Sequence, residues 1–146
     1  MTLSRIVKAY LLTLLLCYSS FALALSSASV SERSCKALVI YKEANLEPLQ
    51  GQREVLQVLN NRIAANHSSC IKEIAKAGQW SFYSKYVTFK ADKKQLTRYS
   101  IVSRMAPLFP TATHFHATHV KPKWARKMRY LGRVGHHYFY TLRRDE

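Results

Sequence analysis

The chain has 146 residues, 23 Lys and Arg against 8 Asp and Glu, and a formal net charge of +15. That length holds one domain around one core rather than two, and that charge calls for an anionic partner. No internal repeat or low-complexity linker divides the chain.

In chain order, the first element is an export signal over residues 1–24. Arg5 and Lys8 make a short positive region, Ala9 to Phe21 is mostly Leu, Ala and aromatic, and Ala22-Leu23-Ala24 fits a small-x-small cleavage site. The apolar run is short for a bilayer span and is broken by Ser19 and Ser20. No second apolar segment is long enough to cross a membrane. Cleavage removes Arg5 and Lys8 and leaves a net charge of about +13 on residues 25–146. An exported protein meets the cell envelope before it meets nucleic acid. The expected partner is therefore an envelope polymer, although charge alone does not choose. Cleavage also leaves two cysteines, Cys35 and Cys70, which in an oxidising compartment suggest one disulfide.

Residues 33–46 read as a helix, with Ala37, Ile40, Tyr41 and Ala44 at helical spacing, Leu38 widening the stripe, and Pro48 as the stop. A second helix is expected over about Gln50–Ala65, burying Val55, Leu56, Val58, Leu59 and Ile63. A short third helix runs from Cys70 to Ala77 and ends at Gly78. Gln79 to Phe89, rich in aromatic and β-branched residues, suits strand or irregular structure. A fourth helix is expected over Asp92–Met105, a strand over Thr111–Val120, a turn or short helix over Pro122–Arg129, and a closing strand after Gly135. The sum is a mainly helical α+β domain with a small sheet.

The richest stretch is Tyr41 to Arg62, YKEANLEPLQGQREVLQVLNNR. Glu43 and Glu47 stand one helical turn apart in a carboxylate-poor chain. A carboxylate at a helix end, partly desolvated by apolar neighbours, keeps its proton to a higher pH and can act as a general acid. On residue type alone Glu43 and Glu47 could equally be surface side chains. Glu54 and Glu73 read as solvated residues on polar helix faces, and Glu32 as part of a mobile segment before the first helix.

The motifs in order carry a family resemblance. Glu43-Ala44, Glu47-Pro48, Gly51-Gln52 and Asn61-Arg62 come first. Gln79-Trp80-Ser81-Phe82 and Ala112-Thr113-His114-Phe115-His116 follow, then Pro122, Trp124, Gly135, His137 and Phe139-Tyr140. Together they resemble the bacterial cell-wall hydrolases that include the SleB-type spore cortex-lytic enzymes, over about residues 35–140. The chain departs from that pattern at Asn45-Leu46, where the family usually has Arg-Gly. It departs again at Arg53, Glu54 and Gln57, which replace small residues in the second helix.

The resemblance implies a lysozyme-like, lytic-transglycosylase-like domain that cuts peptidoglycan glycan strands between N-acetylmuramic acid and N-acetylglucosamine. Glu43 matches the catalytic acid, and Glu47 is the other catalytic candidate. Gln79, Ser81, Tyr83, His114, Trp124 and His137 are the candidate sugar-binding residues, with Trp80 and Phe82 in the core. A single Glu would suffice for a 1,6-anhydro product. No cofactor or metal is expected. The partner is the glycan strand, with anionic envelope polymers beside it, no nucleic acid, membrane contact only through an uncleaved signal, and a monomeric protein. Two other readings stay open. His114, His116, His119, His136 and His137 could mark a zinc amidase, though no His-Glu-x-x-His or Cys-x-x-Cys pattern appears. The charge and Asn45-Leu46 would also suit an inactive envelope-binding module.

Overall fold

A computed structural model describes residues 32–76, 78–82 and 90–143. The expected signal at 1–24, Tyr83 and the rest of 83–89 lie outside the described residues. Among the described residues, no helix is long and apolar enough to cross a membrane.

Residues 32–44 form helix α1. Helices α2 (Leu49–Ala65), α3 (Cys70–Ile74) and α4 (Lys93–Val102) follow. Strand β1 (His114–Ala117), a 3-10 turn (Lys123–Lys127) and strands β2 (Arg129–Val134) and β3 (His137–Thr141) complete the fold. The sheet is antiparallel in the order β1-β3-β2. The expected α+β architecture is therefore what forms.

Helix α1 is the central element, which explains why its apolar positions exceed one stripe. Cys35, Val39 and Ala44 pack with Val55, Val58 and Leu59 of α2, with Cys70 and Ile74 of α3, and with Phe139 of β3. Ala37 and Leu38 meet Leu96 and Tyr99 of α4, while Ile40 meets Leu56 and Val102. Tyr41, expected in the stripe, is 43% exposed and looks onto the cleft described below. Cys35 and Cys70 are disulfide-bonded, tying α1 to α3.

Three expectations about carboxylates are corrected. Glu32 is part of α1, and its carboxylate accepts the Cys70 N–H at 3.0 and 3.2 Å, capping the start of α3. Glu54 and Glu73 are both fully buried. Residues 105–112 run over the polar side of α2, where their backbone groups need partners. Glu54 accepts the N–H groups of Leu108 and Phe109 at 2.8 and 3.1 Å, and Arg53 Nε donates to the Met105 carbonyl at 2.6 Å. Asn61 Nδ2 donates to the carbonyls of Pro110 and Ala112 at 2.8 and 2.7 Å. The residues that replace small ones in α2 thus hold a loop. Glu73 pairs with Arg62 at 3.0 Å and Lys76 at 2.6 Å.

Strand β2 was not foreseen. Its segment, Arg129 to Val134, is basic and contains Gly132, which hides the alternation of a strand. A bulge interrupts the β2–β3 register between Tyr130 and Gly132. A Cβ at Gly132 would overlap the ring of Phe109, so glycine is what lets β2 close on the core.

Candidate active site

The end of α1 and the tip of the sheet face each other across a cleft of about 630 Å³. One wall is Tyr41 to Glu47, and the other is Ala117 to His119 with His136 and His137. The chain bends at Asn45 and Leu46, where the Glu47 N–H returns to the Ala44 carbonyl at 3.1 Å. Leu46 stands 92% exposed in this turn. Among the described residues the only non-glycine with positive φ is His67, so the bend is made without the glycine that the family pattern carries.

Glu43 is half-buried, and the Ser81 hydroxyl donates to its carboxylate at 3.0 Å. Burial raises its pKa above the ordinary 4.5 and outweighs the side-chain and backbone hydrogen bonds from Ser81, which act the other way. Desolvation of this kind favours the protonated form of a carboxyl group.

Glu47 lies one turn away but is engaged differently. Its side chain is 7% exposed and receives the His136 N–H at 2.8 Å and the His136 Nδ1–H at 3.3 Å. Gly135, with φ +57°, makes the β2–β3 turn directly against it, and a Cβ there would fall on the Glu47 carboxylate. Glu47 therefore anchors the sheet wall of the cleft to the helical wall.

His137 is buried on β3, edge-on to Phe115 with ring centroids 5.0 Å apart. Burial lowers its pKa, as do His136 and His116, while Glu47 pulls the other way. Its Nδ1 has no hydrogen-bond partner among the described residues. A buried polar atom left unpaired beside a cleft suits a substrate hydrogen bond.

The remaining candidates separate. Ser81 joins Glu43, whereas Gln79 is exposed and its side chain makes no hydrogen bond among the described residues. His114 and Trp124 do not line this cleft. They pack on each other at 5.3 Å, and Trp124 also meets His116 at 5.6 Å. Burial, then the charge of Arg62, lowers the His114 pKa. Trp80 is buried in the core under Arg62 and Phe82 packs against that core, both as expected. Tyr83 lies outside the described residues. Among the described residues, no three His, Cys, Asp or Glu side chains gather into a possible metal-ligand set. Residue types alone missed Asn45, Thr118 and the exposed ring of His136 as cleft-lining groups. The signal for His136 was Gly135, a turn glycine just before the closing strand.

Residues 46–140 match the family model described as Cell Wall Hydrolase. The chain belongs to the cell wall hydrolase family. The match begins at Leu46, so Glu47 lies inside it and Glu43 just before it. Among solved structures, this cell wall hydrolase is similar to the catalytic domain of the germination-specific lytic transglycosylase SleB from Bacillus anthracis. That likeness has a TM-score of 0.58 at 16% identity and covers 76% of this chain and 94% of that one. It is also similar to the catalytic domain of the Bacillus cereus SleB protein, with a TM-score of 0.61 at 18% identity, covering 76% and 90%. At these identities the likeness shows a shared fold, the lysozyme-like α+β arrangement that the motifs implied. No curated protein sequence matches the chain.

Proposed function

We propose that the protein is an exported enzyme that cuts peptidoglycan glycan strands between N-acetylmuramic acid and N-acetylglucosamine, as a lytic transglycosylase with Glu43 as its single acid and base. The observation that carries this reading is how the other carboxylates among the described residues are engaged. Glu32 caps α3, Glu54 holds residues 108–109, Glu73 is ion-paired, and Asp92 caps α4. Glu47 is tied to His136. Glu43, held among the described residues only by Ser81, faces the cleft with a raised pKa.

Two-carboxylate glycosidases need a second free acid to act as nucleophile or to activate water. Among the described residues the other carboxylate of this cleft, Glu47, is engaged by His136, so a one-acid route fits better. Glu43 gives its proton to the glycosidic oxygen as the bond to C1 breaks. The resulting carboxylate then takes the proton of the muramic acid 6-hydroxyl, whose oxygen closes on C1. The product is a 1,6-anhydro sugar, no water is consumed, and Glu43 ends protonated as it began. His137 and Asn45, which line the cleft, hold the sugar by hydrogen bonds. Glu47 keeps the sheet wall in position. The solved lytic transglycosylase of the same fold supports this reaction class. The Cys35–Cys70 bond and the signal-like residues 1–24 support export.

The test is mass spectrometry of purified sacculi after incubation with the protein. Anhydro-muropeptides are the expected product. Reducing ends that have taken up water would make it a lysozyme-type hydrolase. Free peptides with intact glycan would make it an amidase.

A further inference from the structure

The sheet has a second face that the cleft does not use. Alternation along the strands puts His116, Tyr138, Tyr140 and Tyr130 on the side opposite Phe139, which is buried, and Phe115, which packs against the core. His116 stacks on Tyr140 at 5.3 Å with 20° between the planes, and Tyr130 meets Tyr138 and Tyr140 at 5.9 and 5.5 Å. His116 Nδ1–H donates to the Ala117 carbonyl at 2.9 Å, which leaves Nε2 to accept from the Tyr140 hydroxyl at 3.0 Å. These bonds fix the rings as a floor. Above it lies a depression of about 640 Å³, rimmed by Lys121, Lys123, Arg126 and Lys127.

The rim is strongly positive. From Lys93 to Arg144 the sequence contains no Asp or Glu. Among the described residues none of the four rim cations forms an ion pair. Cations without local counter-charges around an aromatic floor attract a polyanion that also carries flat or apolar faces. Continuity identifies which one: Thr118, at the end of β1, lines both this depression and the Glu43 cleft.

We propose that this face is a second binding site, which holds the acidic stem peptides and adjoining sugars of the same peptidoglycan strand that enters the cleft. The carboxylates lie against Lys121, Lys123, Arg126 and Lys127, and sugar faces rest on Tyr138 and Tyr140. This rests on peptidoglycan being the substrate.

The test uses the triple variant Lys123→Gln/Arg126→Gln/Lys127→Gln in a Glu43→Gln background, so that binding is read apart from turnover. Three exposed charge contacts should together lower retention on purified sacculi about tenfold. Sacculi whose carboxyl groups have been converted to amides should hold the otherwise unaltered Glu43→Gln protein no better than ordinary sacculi hold the triple variant. That arm leaves the face intact and so does not depend on how the triple variant folds. With Glu43 restored, the triple variant should lose turnover on sacculi while keeping its rate on a short soluble glycan fragment. Undiminished retention of the triple variant, equal retention on amidated sacculi, or tighter binding to single-stranded DNA than to sacculi would each overturn the proposal. Absence of any glycan cleavage would sink the reading of the cleft and leave the binding result to stand by itself.

Discussion

Glu43 at the cleft and Glu73 at the α2–α3 contact are the same residue type in opposite circumstances. Burial raises Glu43, and only Ser81 opposes it. Burial also pushes Glu73 upward, but the hydrogen bond from Lys76, the charges of Arg62 and Lys76, and the Asn66 hydrogen bond reverse the sign and lower it. Desolvation alone therefore does not make an acid; desolvation without a cation does. In a chain with 23 Lys and Arg, a carboxylate that has escaped them marks a place where a proton is kept.

The comparison also separates their pH dependence. Glu73, lowered, stabilises the fold above the ordinary 4.5, and that contribution is lost as pH falls through its lowered value. Glu43, raised, has the opposite sign: its contribution is complete below 4.5 and is lost as pH rises through its raised value. The fold thus favours the protonated form of the carboxyl group at the cleft and the charged form at the ion-paired site.

The largest stability effect should come from Glu73→Gln. It leaves Arg62 partly buried without its charge partner, a loss of about 3–5 kcal/mol by denaturant unfolding at neutral pH. An effect near zero would mean that Arg62 and Lys76 are satisfied by water. Gly135→Ala comes next. A left-handed alanine costs about 1–2 kcal/mol, and its Cβ must also displace the Glu47 carboxylate. The melting temperature should fall and KM on sacculi should rise, because the sheet wall shifts. A stability loss with unchanged KM would show that Glu47 does not set the cleft. The smallest effect is expected from Ser81→Ala. Ser81 favours the charged form of Glu43, so its removal should move the alkaline limb of the pH–rate profile to higher pH. A move to lower pH would contradict the assignment.

Much of this was legible in the sequence. Helical spacing and Pro48 located α1 and α2, and the parity of residues 113–117 put His114 and His116 on one face. The motif order drew attention to the stretch that forms one wall of the cleft, and an even cysteine pair pointed to Cys35–Cys70. What escaped depends on partners distant in the chain. Glu54 looked solvated because the N–H groups it receives, from Leu108 and Phe109, lie more than fifty residues away. Glu73 looked solvated because neither its Arg62 partner nor its depth can be read from periodicity. Strand β2 was hidden by its charges and by Gly132. Parity could pair His114 with His116 but could not say that their face is turned away from Glu43.

The central claim is that Glu43 alone supplies the proton. Its most direct test assays Glu43→Gln and Glu47→Gln side by side on purified sacculi, with circular dichroism and wall retention as controls. Gln keeps the shape and the contact with Ser81 but cannot serve as the acid. Glu43→Gln should lose about 10²–10⁴-fold in rate or more while remaining folded and wall-bound, and Glu47→Gln should lose less. Full activity in Glu43→Gln, or loss confined to Glu47→Gln, would contradict it.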